Sequence, residues 1–208
     1  LVDDRERKRH AHVLARRMRD ARVALEQLAG RRIRKVGSLA DLRMILFGRF
    51  KCRVIAKTAT GMRRINASDL ATLALETTGA ARRFIESLRE YRKAKKLKST
   101  YVDGLQVWAP SGRVHAAWNV GGANTGPRSC SDKNIENQPE SMRTIYVTEP
   151  DWALVLADYK QVEARLNAIL AGDTRTIATL EAGIDIHVAS AALLFKIPIE
   201  QIDYPKRP

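Results

Sequence analysis

The chain has 208 residues, 45% of them hydrophobic, with 37 Lys and Arg against 23 Asp and Glu, a formal net charge of +14. That length suits one ordinary domain or two small ones, and the hydrophobic share excludes disorder throughout. The charge favours a polyanionic partner, DNA or RNA first, with a ribosome-associated or basic membrane-surface protein as alternatives that composition alone leaves open.

In chain order, Leu14, Met18, Ala21, Leu25 and Leu28 alternate steps of four and three, which predicts a helix over roughly Asp3 to Ala29 with Gly30 as its C-cap. A second helical element is expected over Leu39 to Phe50, with Leu42, Ile45, Leu46 and Phe50 on its apolar side. Lys57-Thr-Ala-Thr-Gly-Met-Arg-Arg64 reads as a polar, basic loop, followed by a helix with Ser68 at its N-cap and Leu70 and Leu73 inside. Phe84, Leu88 and Tyr91 place another helix between Gly79 and about Lys95. Two long helices joined by a basic segment predict an antiparallel helical arm.

After Leu97 the pattern changes. Leu105–Ala109, a turn at Pro110–Gly112 and Val114–Trp118 predict a β-hairpin. Asn119 to Asn137 reads as loop, and Ala153–Ala157 as a buried strand ending at Asp158. Helices are then expected to about Ala171, through Val162, Leu166, Ile169 and Leu170, and over Ile186 to Phe195. The order is a helical arm followed by an α+β unit, with a boundary near Leu97 to Leu105.

Cys52 and Cys130 match no zinc or CxxC pattern, so a reducing, cytoplasmic setting is the simplest reading. His10, His12, His115 and His187 lack metal-ligand spacing. No apolar run reaches membrane-spanning length, the basic start has no signal-peptide core, and no membrane partner is expected. Leu1 is not an initiator methionine, which leaves room for sequence upstream.

Several segments, in order, resemble family A DNA polymerases of the bacterial DNA polymerase I type. Leu88-Arg-Glu-Tyr-Arg92 with Lys96-Leu-Lys-Ser-Thr-Tyr-Val102 resembles the junction of thumb and palm, and Ser111-Gly-Arg-Val-His115 through Asn119 the adjoining hairpin. Asp132-Lys-Asn-Ile-Glu-Asn-Gln-Pro139 is similar to the segment contacting primer and template. Asp158-Tyr-Lys-Gln-Val-Glu-Ala-Arg165 resembles motif A, and Gly183-Ile-Asp-Ile-His187 the segment that follows it. Either short motif alone would be weak; their order gives the resemblance its force. There are departures. Thr125-Gly-Pro-Arg128 stands where the family has Thr-Gly-Arg, and Lys160 stands at the motif A serine. Motifs B and C are missing, Arg207 falls where motif B would begin, and no exonuclease region precedes the thumb.

The resemblance implies an α+β fold: a thumb-like arm of long antiparallel helices over 1–100 and part of an antiparallel-sheet palm over 101–208. It implies template-dependent nucleotidyl transfer to a primer 3′-OH, with dNTPs as substrates and primer-template DNA as partner. Magnesium would sit in a two-metal site completed by a carboxylate outside this chain. Asp158 would be catalytic and bind metal, with the Tyr159 backbone carbonyl beside it; Asp158 is equally able to cap a helix. Glu163 would lie beneath the incoming sugar and help reject a ribose 2′-OH, and is otherwise a surface charge partner. His187 would approach the triphosphate, where a lone histidine is often structural, and Arg207 would bind nucleotide from the start of motif B. Lys98, Ser99 and Thr100 would contact the duplex backbone, Arg128 and Asn137 the minor groove, and Arg63 and Arg64 phosphate at the thumb tip. Without motifs B and C the chain is expected to be inactive alone, and a second polypeptide carrying them would complete it. The alternative is a non-catalytic DNA-binding or scaffolding subunit derived from a polymerase.

Overall fold

In the computed structural model, which describes residues 1–119, 129–131, 135, 137–155, 157 and 159–202, the chain opens with helix α1 (Asp4–Ala29). The Asp3 carboxylate caps it by accepting the N–H groups of Arg5 and Glu6, and Gly30 ends it in the left-handed region at φ 62°. A side chain at Gly30 would also crowd the Arg49 guanidinium, 3.2 Å from the position a Cβ would take. Next come α2 (Leu39–Arg43), which runs on as a π-helical turn over Met44–Arg49, then α3 (Ala67–Glu76) and α4 (Gly79–Lys96). The helix after α4 does not stop. It continues as a π-helical turn over Leu97–Asp103 and then α5 (Gly104–Trp108).

Helices α1 and α4 pack side by side, and two buried clusters along them show that they run antiparallel. The first cluster joins Leu25, Ala29, Leu46, Leu70, Phe84 and Leu88, with the Phe50 and Phe84 rings 5.3 Å apart. The second joins Leu14 on the N-terminal half of α1 to Ala94, Leu97, Val102, Leu105 and Ile145. Between them Arg17 Nε donates to Glu90 at 2.6 Å. The N-terminus closes the second cluster: Leu1 donates to the Val147 carbonyl, and Val2 pairs with Tyr146. Met142 and Ile145, in a 3₁₀ turn over Glu140–Ile145, pack beneath.

Three expectations are corrected. Leu105–Ala109 forms no hairpin strand: Val102 and Leu105 are buried and Trp108 packs with them, a spacing of three that a helix satisfies and an alternating strand does not. The sheet among the described residues is instead a two-stranded antiparallel ribbon, β1 (Ala117–Asn119) with β2 (Ser129–Ser131), so part of the expected loop is strand. The described residues are thus mostly helical with few strands, and the expected antiparallel-sheet palm is not shown among them. Ala153–Ala157 is not a buried strand, since Leu154 and Val155 are exposed and no neighbouring strand among the described residues pairs with them.

The chain divides into two units, Leu1–Ala153 and Leu154–Pro208. In the second, α6 (Val162–Ala171) ends at Gly172, whose φ is 64°, and α7 (Thr174–Glu181) starts under the Asp173 cap. Helix α8 (Ile186–Phe195) starts where Asp185 accepts the His187 N–H at 2.8 Å. Helix α7 had no counterpart in the sequence reading. Among the described residues of this unit only Ala168 and Leu180 are buried.

Candidate functional site

The basic loop between α2 and α3 is built as a tight hairpin. Lys57 pairs with Arg63, Thr58 N–H donates to the Met62 carbonyl at 2.8 Å, and Gly61 turns the chain at φ 76°. Arg63 stands 5.3 Å over the Phe47 ring, and its carbonyl accepts from Arg43 Nε at 2.8 Å. Its guanidinium is thus steadied by an aromatic face without being tied to a carboxylate among the described residues. Arg64 is held differently. Its Nε and Nη2 each donate to the buried Asp69 carboxylate at 2.9 Å. Asp69 also accepts the Asn66 N–H, while the Asn66 side chain accepts the Asp69 N–H, a reciprocal capping box. The helix cap is therefore Asn66 and not Ser68, whose hydroxyl donates to the Asn66 side chain. The Arg64 hydrogen bonds hold the Asp69 carboxyl below the usual carboxylate range.

Lys98, Ser99 and Thr100 lie in the π-helical turn after α4. Lys98 Nζ donates to both Asp103 carboxylate oxygens at 2.8 Å, and Ser99 is exposed. A groove of about 390 Å³ runs beside them, lined by Met18, Arg19, Arg22, Tyr91, Lys95 and Lys98 among others. Only the antiparallel pairing of α1 with α4 brings Arg19 and Lys95 beside Lys98. Their signal in the sequence is position alone: Met18 and Arg22 are four apart, on the face that α1 shares with its neighbour. Asn137 sits in an exposed turn, and Arg128 lies outside the described residues.

In the second unit the expected nucleotide-site residues gather around helix starts. Gln161 caps α6 with its backbone in the left-handed region at φ 54°, a conformation costing a non-glycine residue about 1–3 kcal/mol. The turn is held by Arg165, which donates Nε to the Lys160 carbonyl and Nη2 to the Leu180 carbonyl, both at 3.1 Å. Lys160 Nζ in turn donates to the Gly183 carbonyl at 3.3 Å. Lys160 and Arg165 thus stitch the turn before α6 to the segment leading into His187. Glu163 is exposed in the first turn of α6, where a carboxylate complements the helix dipole. His187 is exposed in the first turn of α8, and the Tyr159 side chain is exposed. Asp158 and Arg207 lie outside the described residues. Among the described residues no three His, Cys, Asp or Glu side chains are grouped to hold a metal ion, so the fit of magnesium turns on Asp158. Cys52 and Cys130 are buried. Among the described residues no single helix is long and apolar enough to cross a membrane.

The model of DNA polymerase family A matches residues 5–208. The thermostable DNA polymerase I of Thermus thermophilus is 34% identical over 199 residues, covering 91% of this chain and 23% of the relative. DNA polymerase I of Chloroflexus aurantiacus is 34% identical over 215 residues, covering 98% of this chain and 22% of the relative. The solved POL domain of Pol1 from M. smegmatis, in complex with DNA primer-template and dNTP, superposes with a TM-score of 0.77 at 30% identity. That likeness covers 97% of this chain and 36% of the solved one. The chain therefore spans less than a quarter of the length of these curated relatives.

Proposed function

The chain belongs to DNA polymerase family A, and on that premise we propose that it supplies the thumb-like arm, residues 1–100, and the first part of the palm, residues 101–208, of a DNA-directed DNA polymerase. The observation that carries this reading is the likeness to a polymerase domain solved with primer-template and dNTP, which extends over 97% of the chain. The fingers and the rest of an antiparallel-sheet palm come from polypeptide beyond this chain.

The arm grips the duplex through sequence-independent contacts from Arg63, Lys98, Ser99 and Thr100, with Arg128 and Asn137 in the minor groove. Minor-groove acceptors occupy similar places in every base pair, so contacts there report pairing geometry without reading sequence. In the second unit Asp158 and the Tyr159 carbonyl hold magnesium together with a carboxylate from the remaining palm. The metal supplies charge compensation for the reacting oxygens when bound. Glu163 stands beneath the sugar and disfavours a 2′-OH, while His187 and Arg207 approach the triphosphate. The stitching by Lys160 and Arg165 keeps the first turn of α6 and the approach to α8 in register, which the proposed division of labour between Glu163 and His187 requires.

Two measurements on one variant test the reading. Asp158→Ala should abolish nucleotide incorporation by the chain reconstituted with the rest of the domain, yet leave primer-template affinity nearly unchanged. Metal acts on the reacting oxygens, whereas affinity comes from many distributed basic contacts. Near-normal incorporation by the folded variant would return Asp158 to the role of a helix cap.

A further inference from the structure

The groove between α1 and α4 is basic on both banks. Arg19 and Arg22 line it from α1, and Lys95 and Lys98 from the end of α4 and the turn that follows. Residues three apart share a helical face, so each bank sets two cations over one cleft. Against these four the lining carries one acid, Asp103. Two of the cations are already engaged: Asp103 holds Lys98, and Arg22 donates to Glu26 and to the Ile33 carbonyl. Arg19 and Lys95 are exposed and have no carboxylate partner among the described residues. A lone surface lysine needs no ligand, but a cleft lined by one sign of charge concentrates anions.

Between the cations lies an apolar surface. Tyr91 packs against the first buried cluster and Met18 against the second, and both are only partly buried and line the groove. An aromatic ring flanked by cations suits a ligand that combines phosphate with a flat base. A duplex keeps its bases stacked inside and offers such a cleft phosphate alone, and an acidic peptide offers charge without a base. A single strand can turn a base onto the ring. We propose that the groove between α1 and α4 binds single-stranded nucleic acid, Arg19 and Lys95 meeting its phosphates and Tyr91 stacking a base. From Ala15 to Arg22 the helical rise makes the cleft about 10 Å long, which suits a short stretch of strand. This adds a single-strand site to the duplex grip proposed above and does not depend on it.

The test uses the full 208-residue chain, the double variant Arg19→Ala/Lys95→Ala, and Tyr91→Leu with Tyr91→Phe as its conservative control. A fluorescein-labelled oligothymidine, an abasic strand of equal length and a blunt duplex are titrated by fluorescence anisotropy. The wild type should bind oligothymidine about fivefold or more tightly than the abasic strand. Tyr91→Leu should erase that gap and Tyr91→Phe should keep it. If Tyr91→Leu melts well below the wild type, the abasic comparison on the wild type decides alone. The double variant replaces exposed side chains and should melt within about 2 °C of the wild type. It should bind oligothymidine about tenfold more weakly, with a log–log salt slope flatter by about 0.7 per lost cation, and bind the blunt duplex nearly as before. Unaltered oligothymidine binding by the double variant, or equal wild-type affinity for the abasic strand, overturns the proposal. Equal losses on strand and duplex also overturn it, by making the groove part of the duplex grip. So does displacement of oligothymidine by polyglutamate of equal charge, which leaves the cleft a site for any polyanion. The duplex arm separates the two claims. A chain that grips the duplex and shows no preference for base-bearing strand loses the groove site alone; one that binds strand without duplex affinity loses only the functional reading.

Discussion

Replacing Asp69 by Asn isolates the clamp that fixes the root of the basic hairpin. The carboxylate is 1% exposed and accepts two hydrogen bonds from Arg64 and one from the Asn66 N–H. Asparagine keeps the shape and one acceptor oxygen, but it turns an amide NH₂ toward the guanidinium and removes the charge. One charge-assisted bond is lost and another weakened, while the half-exposed Arg64 side chain recovers some hydration. A hydrogen bond to a charged group contributes about 1.5–3 kcal/mol, so about 2 kcal/mol is expected overall, or a fall in Tm of about 4–8 °C. The effect must also depend on pH. Arg64 holds the Asp69 carboxyl below its ordinary value, so its contribution is fully present above the ordinary carboxylate range and is lost as pH falls through the lowered value. The gap between wild type and Asp69→Asn should be widest at neutral pH, begin to narrow only below about pH 4, and close as pH falls through the lowered value. Thermal unfolding followed by circular dichroism at several pH values measures it. An unchanged Tm at neutral pH, or a gap that does not narrow in acid, would refute the reasoning.

Arg63→Ala and Lys98→Ala should each flatten the log–log salt dependence of primer-template binding by about one, equally on unrelated sequences. A change in sequence preference with an unaltered slope contradicts phosphate contact. Arg64→Ala should differ from both by lowering stability, because it strands the buried Asp69, and a melt at neutral pH shows whether it does. Glu163→Ala should lower the ratio of deoxynucleotide to ribonucleotide kcat/KM in the reconstituted enzyme, since shortening the side chain opens space for the 2′-OH. An unchanged ratio in a folded, DNA-binding variant leaves Glu163 as a helix-surface charge.

The helical arm was legible because its signals are local. Leu14 and Leu25 lie on one face of α1, Gly30 stops it, and Phe84 and Leu88 repeat on α4. What failed depended on partners distant in sequence. Leu105–Ala109 has apolar residues that suit strand or helix, and Val102 and Leu14 decide for helix by packing on one side of it. Ala153–Ala157 has a strand's composition, but composition cannot supply a ladder partner. Ser68 and Asn66 are both competent caps, and Asp69 decides between them by closing the box onto Asn66. At the candidate site, helices around Glu163 and over Ile186 to Phe195 were legible, and the structure puts Glu163 and His187 in their first turns. The link through Lys160 and Gly183 was invisible, because a lysine reaching a carbonyl 23 residues away leaves no pattern in the sequence.

The central claim is that this chain binds the substrate duplex but needs the rest of the domain for chemistry. Primer extension with magnesium and dNTPs tests it most directly, run with the purified chain alone and with the polypeptide carrying motifs B and C added. The account predicts primer-template binding without extension by the chain alone, and template-directed incorporation once both parts are present. Robust extension by the chain alone would contradict it, as would a stable complex of both parts that binds primer-template and adds no nucleotide.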